Sequence, residues 1–261
     1  MVTARRLGAW RRRLERRRPL RDLEVRVPGA RRVYTLAVPA DPDAVLDEVA
    51  AALEAPAAPS GTPAAAGRHA TAARAQVHMP YWATLWASGL ALAEAALARP
   101  AALRGRRAIE LGCGLGVTAA AALEAGAALL AVDCFAEALA FCRYNAARNA
   151  GAAPRTLLAD WRTAAGCAKL RAGERFDLVL AADVLYEPED VAPLLALVPR
   201  LLAPAGAFWL AEPGRVTSEQ FVAAARAAGW CADTVEVERD WPAGVGPARV
   251  RLHFYSPKSE V

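Results

Sequence analysis

Several things are scarce in this chain of 261 residues, and each scarcity closes a class of function. No apolar run approaches the roughly 20 uncharged residues that a membrane-spanning helix needs, so no span is expected. The N-terminus is studded with arginine and lacks an apolar h-region, so no secretory signal is expected. Five cysteines (113, 134, 142, 167 and 231) form no C-x-x-C pair, and three scattered histidines complete no zinc spacing. No acidic cluster suits a divalent ion either, so no metal is expected. A reducing cytoplasm is the simplest setting. Lysine is almost missing: only Lys169 and Lys258 stand among 32 basic residues. With the abundance of Ala, Gly and Pro, this arginine bias suggests GC-rich coding, which weakens any nucleic-acid inference from charge alone.

What is present begins with hydrophobicity. At 55% hydrophobic, the chain can bury the core of one large α/β domain with an N-terminal extension. Positive charge is not spread over it. Residues 1–32 hold twelve arginines against Glu15, Asp22 and Glu24, so the net +5 lies wholly in this leading segment and the rest is net acidic. Residues 1–24 are expected as a basic, flexible arm. A helix with Leu7, Trp10 and Leu14 on one face is the alternative, serving RNA, an acidic protein or a membrane surface. Residues 25–54 suggest a small hairpin around Pro28-Gly29 and a helix capped by Asp41 or Asp43. Residues 55–75 are low-complexity Ala/Pro/Gly sequence, expected as a loop.

The organising stretch is Arg107 to Asp133, read as strand, glycine turn, helix and strand. Ala108 to Leu111 is short and apolar, as a buried parallel strand is. Gly112, Gly114 and Gly116 remove three β-carbons in five residues, so the chain can turn sharply and a ligand can approach the backbone. Val117 to Leu123 is helical, with Gly126 ending it. Ala128 to Val132 is a second strand tipped by Asp133, where a ribose would present its hydroxyls. A dinucleotide fingerprint wants glycine at the sixth position of the turn, where Val117 stands. An acid, Glu110, precedes the first glycine by two residues.

At this point the chain resembles the class I S-adenosylmethionine (AdoMet) methyltransferases, whose first motif is E/D-x-G-x-G-x-G. Carboxylates near that loop suit a cofactor with a sulfonium and an amine. The resemblance implies a Rossmann-like α/β fold over residues 79–256, with a seven-stranded, mostly parallel sheet ending in an antiparallel hairpin. Expected strands are Thr156–Ala159, Phe176–Ala182, Gly206–Ala211, Thr234–Glu238 and Arg249–Tyr255. Helices are expected over Ala136–Asn149, over Pro188–Leu202 and, capped by Thr217 or Ser218, up to Ala228. Among cofactor residues it implies Glu110, Gly112, Cys113, Gly114, Gly116 and Asp133, with Asp160 on the adenine amine and Trp161 on its ring.

Two further strings narrow the resemblance. Met79 to Arg99 contains P-Y-W…L-W..G..L-A, similar to the segment ahead of the first motif in the family 16 protein-lysine methyltransferases, which include those acting on the β subunit of electron-transfer flavoprotein. On that resemblance Trp86 contacts AdoMet. After the strand Phe176–Ala182 comes Asp183-Val184-Leu185-Tyr186, and D-x-x-Y with its preceding Ala182 resembles the hallmark of the same family. Base-methylating enzymes of this fold usually carry N/D-P-P-Y/W there, so the string counts against a nucleic-acid base. Asp183 would orient the acceptor amine and Tyr186 wall it or hydrogen-bond it. The expected activity is methylation of a protein lysine by a monomer. A small-molecule amine N-methyltransferase and an AdoMet-binding RNA- or ribosome-associated protein remain alternatives, nucleic acid being reached only through the basic arm.

Overall fold

The structure, a computed structural model, describes residues 1–54, 79–173 and 175–256. The expected loop 55–75 lies outside the described residues. The chain opens with α1 (Ala4–Glu15), a hairpin of β1 (Leu20–Val27) and β2 (Arg32–Pro39), and α2 (Pro42–Glu54). Asp41 begins α2, its Oδ1 accepting from the backbone N–H of Asp43 and Ala44.

The main domain starts with a short 3₁₀ turn at Tyr81–Ala83 and α3 (Ala87–Ala98). It continues through β3 (Arg107–Leu111), α4 (Val117–Glu124), β4 (Ala128–Asp133), α5 (Ala136–Ala150) and β5 (Arg155–Leu158). Then come α6 (Ala164–Arg171), β6 (Phe176–Ala182), α7 (Val191–Leu201), β7 (Leu202–Glu212), α8 (Val216–Ala227), β8 (Cys231–Trp241) and β9 (Gly246–Ser256). The seven strands stand in the order β5-β4-β3-β6-β7-β9-β8. All pairings are parallel except β7 with β9 and β9 with β8, so the expected antiparallel terminal pair is there.

Period-two alternation sends the strands' side chains into two cores. Ala108, Leu178, Leu180 and Trp209 pack with α3, α4 and α5 on one face. Ile109, Val179, Phe208 and Leu210 pack with α7 and α8 on the other. Helix α3 is buried nearly all round, which its Leu/Ala sequence permits because it carries one charged residue, Glu94.

The structure departs from the sequence reading in three places. Residues 1–24 are no flexible arm: α1 lies on α5, with Leu14 buried and Leu7 and Trp10 packed on the same core. Burial of that apolar stripe offsets the cost of ordering the helix. Arg18 fastens the junction through Glu137 and Glu48. Helix α6 had no counterpart in the sequence reading; Thr163 caps it by accepting from Gly166 N–H. Helix α8 starts without a side-chain cap, because Thr217 Oγ1 donates instead to the Leu185 carbonyl.

The N-terminal hairpin is held by two asparagines of α5. Asn145 and Asn149, one turn apart, meet the backbone of Ala37 and Thr35 on β2 with paired donor and acceptor bonds of 2.8–3.0 Å. Asn145 also donates to the Leu115 carbonyl in the glycine turn, so this layer is tied to the loop that sets the site.

Candidate active site

The carboxyl ends of β3, β4 and β6 converge on one open cleft, as ligands in doubly wound sheets require. It is lined by residues from all three strand ends and from the segment ahead of α3. One end is built from main chain. Gly112, Gly114 and Gly116 all take positive φ (72°, 46° and 81°). A β-carbon on Gly116 would sit 2.6 Å from the Cys142 Cα, and one on Gly112 would sit 2.8 Å from Val184 Cγ1. These are positions only glycine fills without displacement.

Two carboxylates face this end. Asp133, on the tip of β4, accepts from Gly114 N–H and Phe135 N–H, both at 3.0 Å. Burial raises its pKa against those donors. Glu110 is 2% exposed, and its Oε2 is buried with no hydrogen-bond partner among the described residues. Burial first, then the neighbouring Asp133 charge, pushes its carboxyl well above the usual range. An orphaned buried carboxylate oxygen beside a bare glycine turn fits a ligand that brings its own ammonium.

The other end is built from side chains. Tyr81, Trp86 and Tyr186 form an aromatic wall, Tyr81 meeting Tyr186 edge-on at 5.4 Å and Trp86 at 6.3 Å. Trp86 is 37% exposed, and its Nε1 is anchored on the Tyr81 carbonyl at 2.9 Å. Asp183 follows the last residue of β6, with its backbone in the left-handed region at φ 55°. For a residue other than glycine that conformation is strained, and strain of this kind gathers at functional sites. Its carboxylate takes both arms of Arg215, at 3.1 and 3.3 Å. Burial raises the Asp183 pKa and Arg215 opposes the rise. The Tyr186 hydroxyl, pushed up to about 12 by burial, stays protonated and accepts from Arg162 at 3.2 Å.

Of the residues nominated from sequence, Trp86, Glu110, Gly112, Cys113, Gly114, Gly116, Asp133, Trp161, Ala182, Asp183 and Tyr186 all line this cleft. Asp160 does not. Its Oδ1 is turned to Arg162, accepting from the backbone N–H and Nε at 3.0 and 2.9 Å. Arg162 itself lines the cleft. Neither Arg162 nor Arg215 was singled out in the sequence. Both follow a strand's carboxyl end by a few residues, and the topology rule that nominated Asp183 applies to them as well. Glu212, which accepts from Gly214 N–H and pairs with His253 at 3.1 Å, shapes the turn that carries Arg215.

Comparison with known proteins bears on the domain and its cofactor. Residues 109–210 match a methyltransferase domain. The electron transfer flavoprotein beta subunit lysine methyltransferase of Mus musculus is 36% identical over 119 residues, 45% of this chain and 44% of that protein. A ubiquinone biosynthesis O-methyltransferase of Brucella ovis is 28% identical over 116 residues, 44% of each. The chain thus spans less than half the length of the curated relatives it matches. Among solved structures, a candidate RNA methyltransferase from Pyrococcus horikoshii superposes with a TM-score of 0.51 at 16% identity, over 67% of this chain and 88% of that one. That likeness concerns the fold. The domain match and the relatives imply AdoMet as the methyl donor.

Proposed function

We propose that this chain, which carries a class I AdoMet-dependent methyltransferase domain resembling the electron-transfer-flavoprotein lysine methyltransferases, methylates a lysine amine of a protein. One observation carries the reading. Asp183, lining the nucleoside cleft beside an aromatic wall, already holds a cationic side chain, Arg215, through two hydrogen bonds. A carboxylate so placed suits an incoming ammonium better than a neutral hydroxyl or a carboxylate acceptor.

Each group then has a task. The glycine turn admits the cofactor to the backbone, Glu110 would take its ammonium, and Asp133 the ribose. Trp161 would lie against the adenine. Bound AdoMet supplies a methyl group on a good leaving group, so the protein has chiefly to align the acceptor and exclude water. Tyr81 and Tyr186 form an apolar slot that guides the acceptor stem and lowers the amine's pKa by desolvation, with Trp86 beside them against AdoMet. Asp183 orients the amine, displacing Arg215 as it enters.

The test is a labelled-methyl transfer assay on a lysate of the source cells, resolved by gel, with Asp183→Ala as control. A labelled protein band that the variant loses supports a protein acceptor. Label confined to the small-molecule fraction moves the acceptor to a metabolite amine. No label in either, with AdoMet still bound, leaves a binding protein rather than an enzyme.

A further inference from the structure

The layer outside α5 bears a groove that the methyl-transfer site does not use. Its walls are two helices that present residues at i, i+3 and i+4 spacing. Helix α1 gives Trp10, Arg13 and Leu14, the turn after it gives Arg17, and α5 gives a face with Leu139 and Arg143. The floor is aliphatic and the rims are guanidinium.

Charge separates the arginines of this layer into two groups. Arg11 and Arg18 are consumed by Glu15, Asp22, Glu48 and Glu137. Arg13, Arg17 and Arg143 meet no carboxylate among the described residues, and the Nε of Arg143 is buried without a partner. The groove thus gathers three cations that no carboxylate of the described residues neutralises, Arg143 meeting only the Trp10 ring. Its position is equally telling: Phe135 lines the cofactor cleft, and the next residue, Ala136, lines the groove.

We propose that this groove docks an acidic amphipathic segment of the protein substrate, with carboxylates on Arg13, Arg17 and Arg143 and an apolar side chain on the Leu14–Leu139 floor. The inference rests on the protein-acceptor reading above. Nucleic acid fits less well. A single strand binds by stacking bases on open aromatic rings, but the Trp10 ring already carries the guanidiniums of Arg6 at 5.1 Å and Arg143 at 4.6 Å. An amphipathic helix laid between two helices is a common way of reading an acidic, leucine-bearing segment.

The test uses the full chain and three labelled probes of equal charge, followed by fluorescence anisotropy. They are a glutamate peptide with leucines at helical spacing, the same peptide with serines for the leucines, and an oligouridylate. The leucine peptide is expected to bind at least roughly tenfold more tightly than the serine peptide, the effect of burying about one leucine. The double variant Arg13→Glu/Arg17→Glu should weaken it by about tenfold or more while leaving affinity for S-adenosylhomocysteine unchanged. Equal binding of the two peptides, tighter binding of the oligouridylate, or indifference to the double variant would each overturn the proposal. In the lysate assay the same variant should lose labelling at low substrate and recover it at high substrate. Absence of any labelled protein with the unaltered chain would instead refute the protein-acceptor reading, whatever the peptides do.

Discussion

The two ends of the cleft are built by different means. The cofactor end is main chain and short-range: Gly112 to Gly116 and the tip of β4 lie within one strand–turn–helix–strand unit. The end proposed for the acceptor is side chain and long-range, assembled from Tyr81, from Asp183 and Tyr186, and from Arg215. Backbone geometry is demanded by fold and ligand together, so damage there should cost both. A side-chain end can be altered with the fold intact, which is where a new acceptor can be accommodated.

The largest test of that contrast is Gly116→Val. Its β-carbon meets the Cys142 backbone, and φ is 81°. A loss of about 3–5 kcal/mol in denaturant melts, together with loss of AdoMet binding, is expected. Next comes Asp183→Asn, which tolerates a left-handed backbone. Turnover should fall by about 10²–10⁴, while calorimetry shows S-adenosylhomocysteine affinity within about twofold. Equal loss of binding and turnover would erase the distinction between the two ends.

Glu110→Gln sharpens it from the cofactor side. The folded-state pKa of Glu110 is raised by burial and by Asp133. Its contribution to stability is therefore full below the unfolded value and is lost as pH rises through the folded one. The variant should melt higher than the unaltered protein at neutral pH, yet bind AdoMet about tenfold more weakly or worse. A lower melting temperature would show that the buried carboxylate is answered within the fold.

The smallest effect is expected from Arg215→Ala. Its ion pair is partly exposed and should contribute below about 1 kcal/mol to stability. Arg215 holds the Asp183 pKa down against burial. Removing it should shift the acid limb of the pH–rate profile upward, since turnover fades as pH falls through that pKa. An unmoved limb would mean that Asp183 does not act as a carboxylate in the rate-limiting step.

Much of this was legible beforehand because buried parallel strands are short apolar runs: Phe176–Ala182 was delimited to the residue. The glycine turn with its flanking acids was legible for a related reason, since positive φ and close approach leave few residue choices. Helix α6 was not, because Ala-Ala-Gly-Cys-Ala-Lys-Leu-Arg buries only Gly166 and Leu170 and shows little apolar periodicity. Nor was the order of residues 1–24. A basic segment with three apolar residues reads alike whether it floats or docks, and only α5 decides between them.

The sequence by itself determined the nucleoside-binding unit, the parallel sheet and the nomination of Asp183, because each depends on residues close together in the chain. Tertiary structure alone decided that Arg162 turns its guanidinium to Asp160, that Arg215 closes on Asp183 from 32 residues away, and that two asparagines hold the N-terminal hairpin. Those outcomes depend on which side chains meet across the fold, and the pattern along a single segment does not encode its partner.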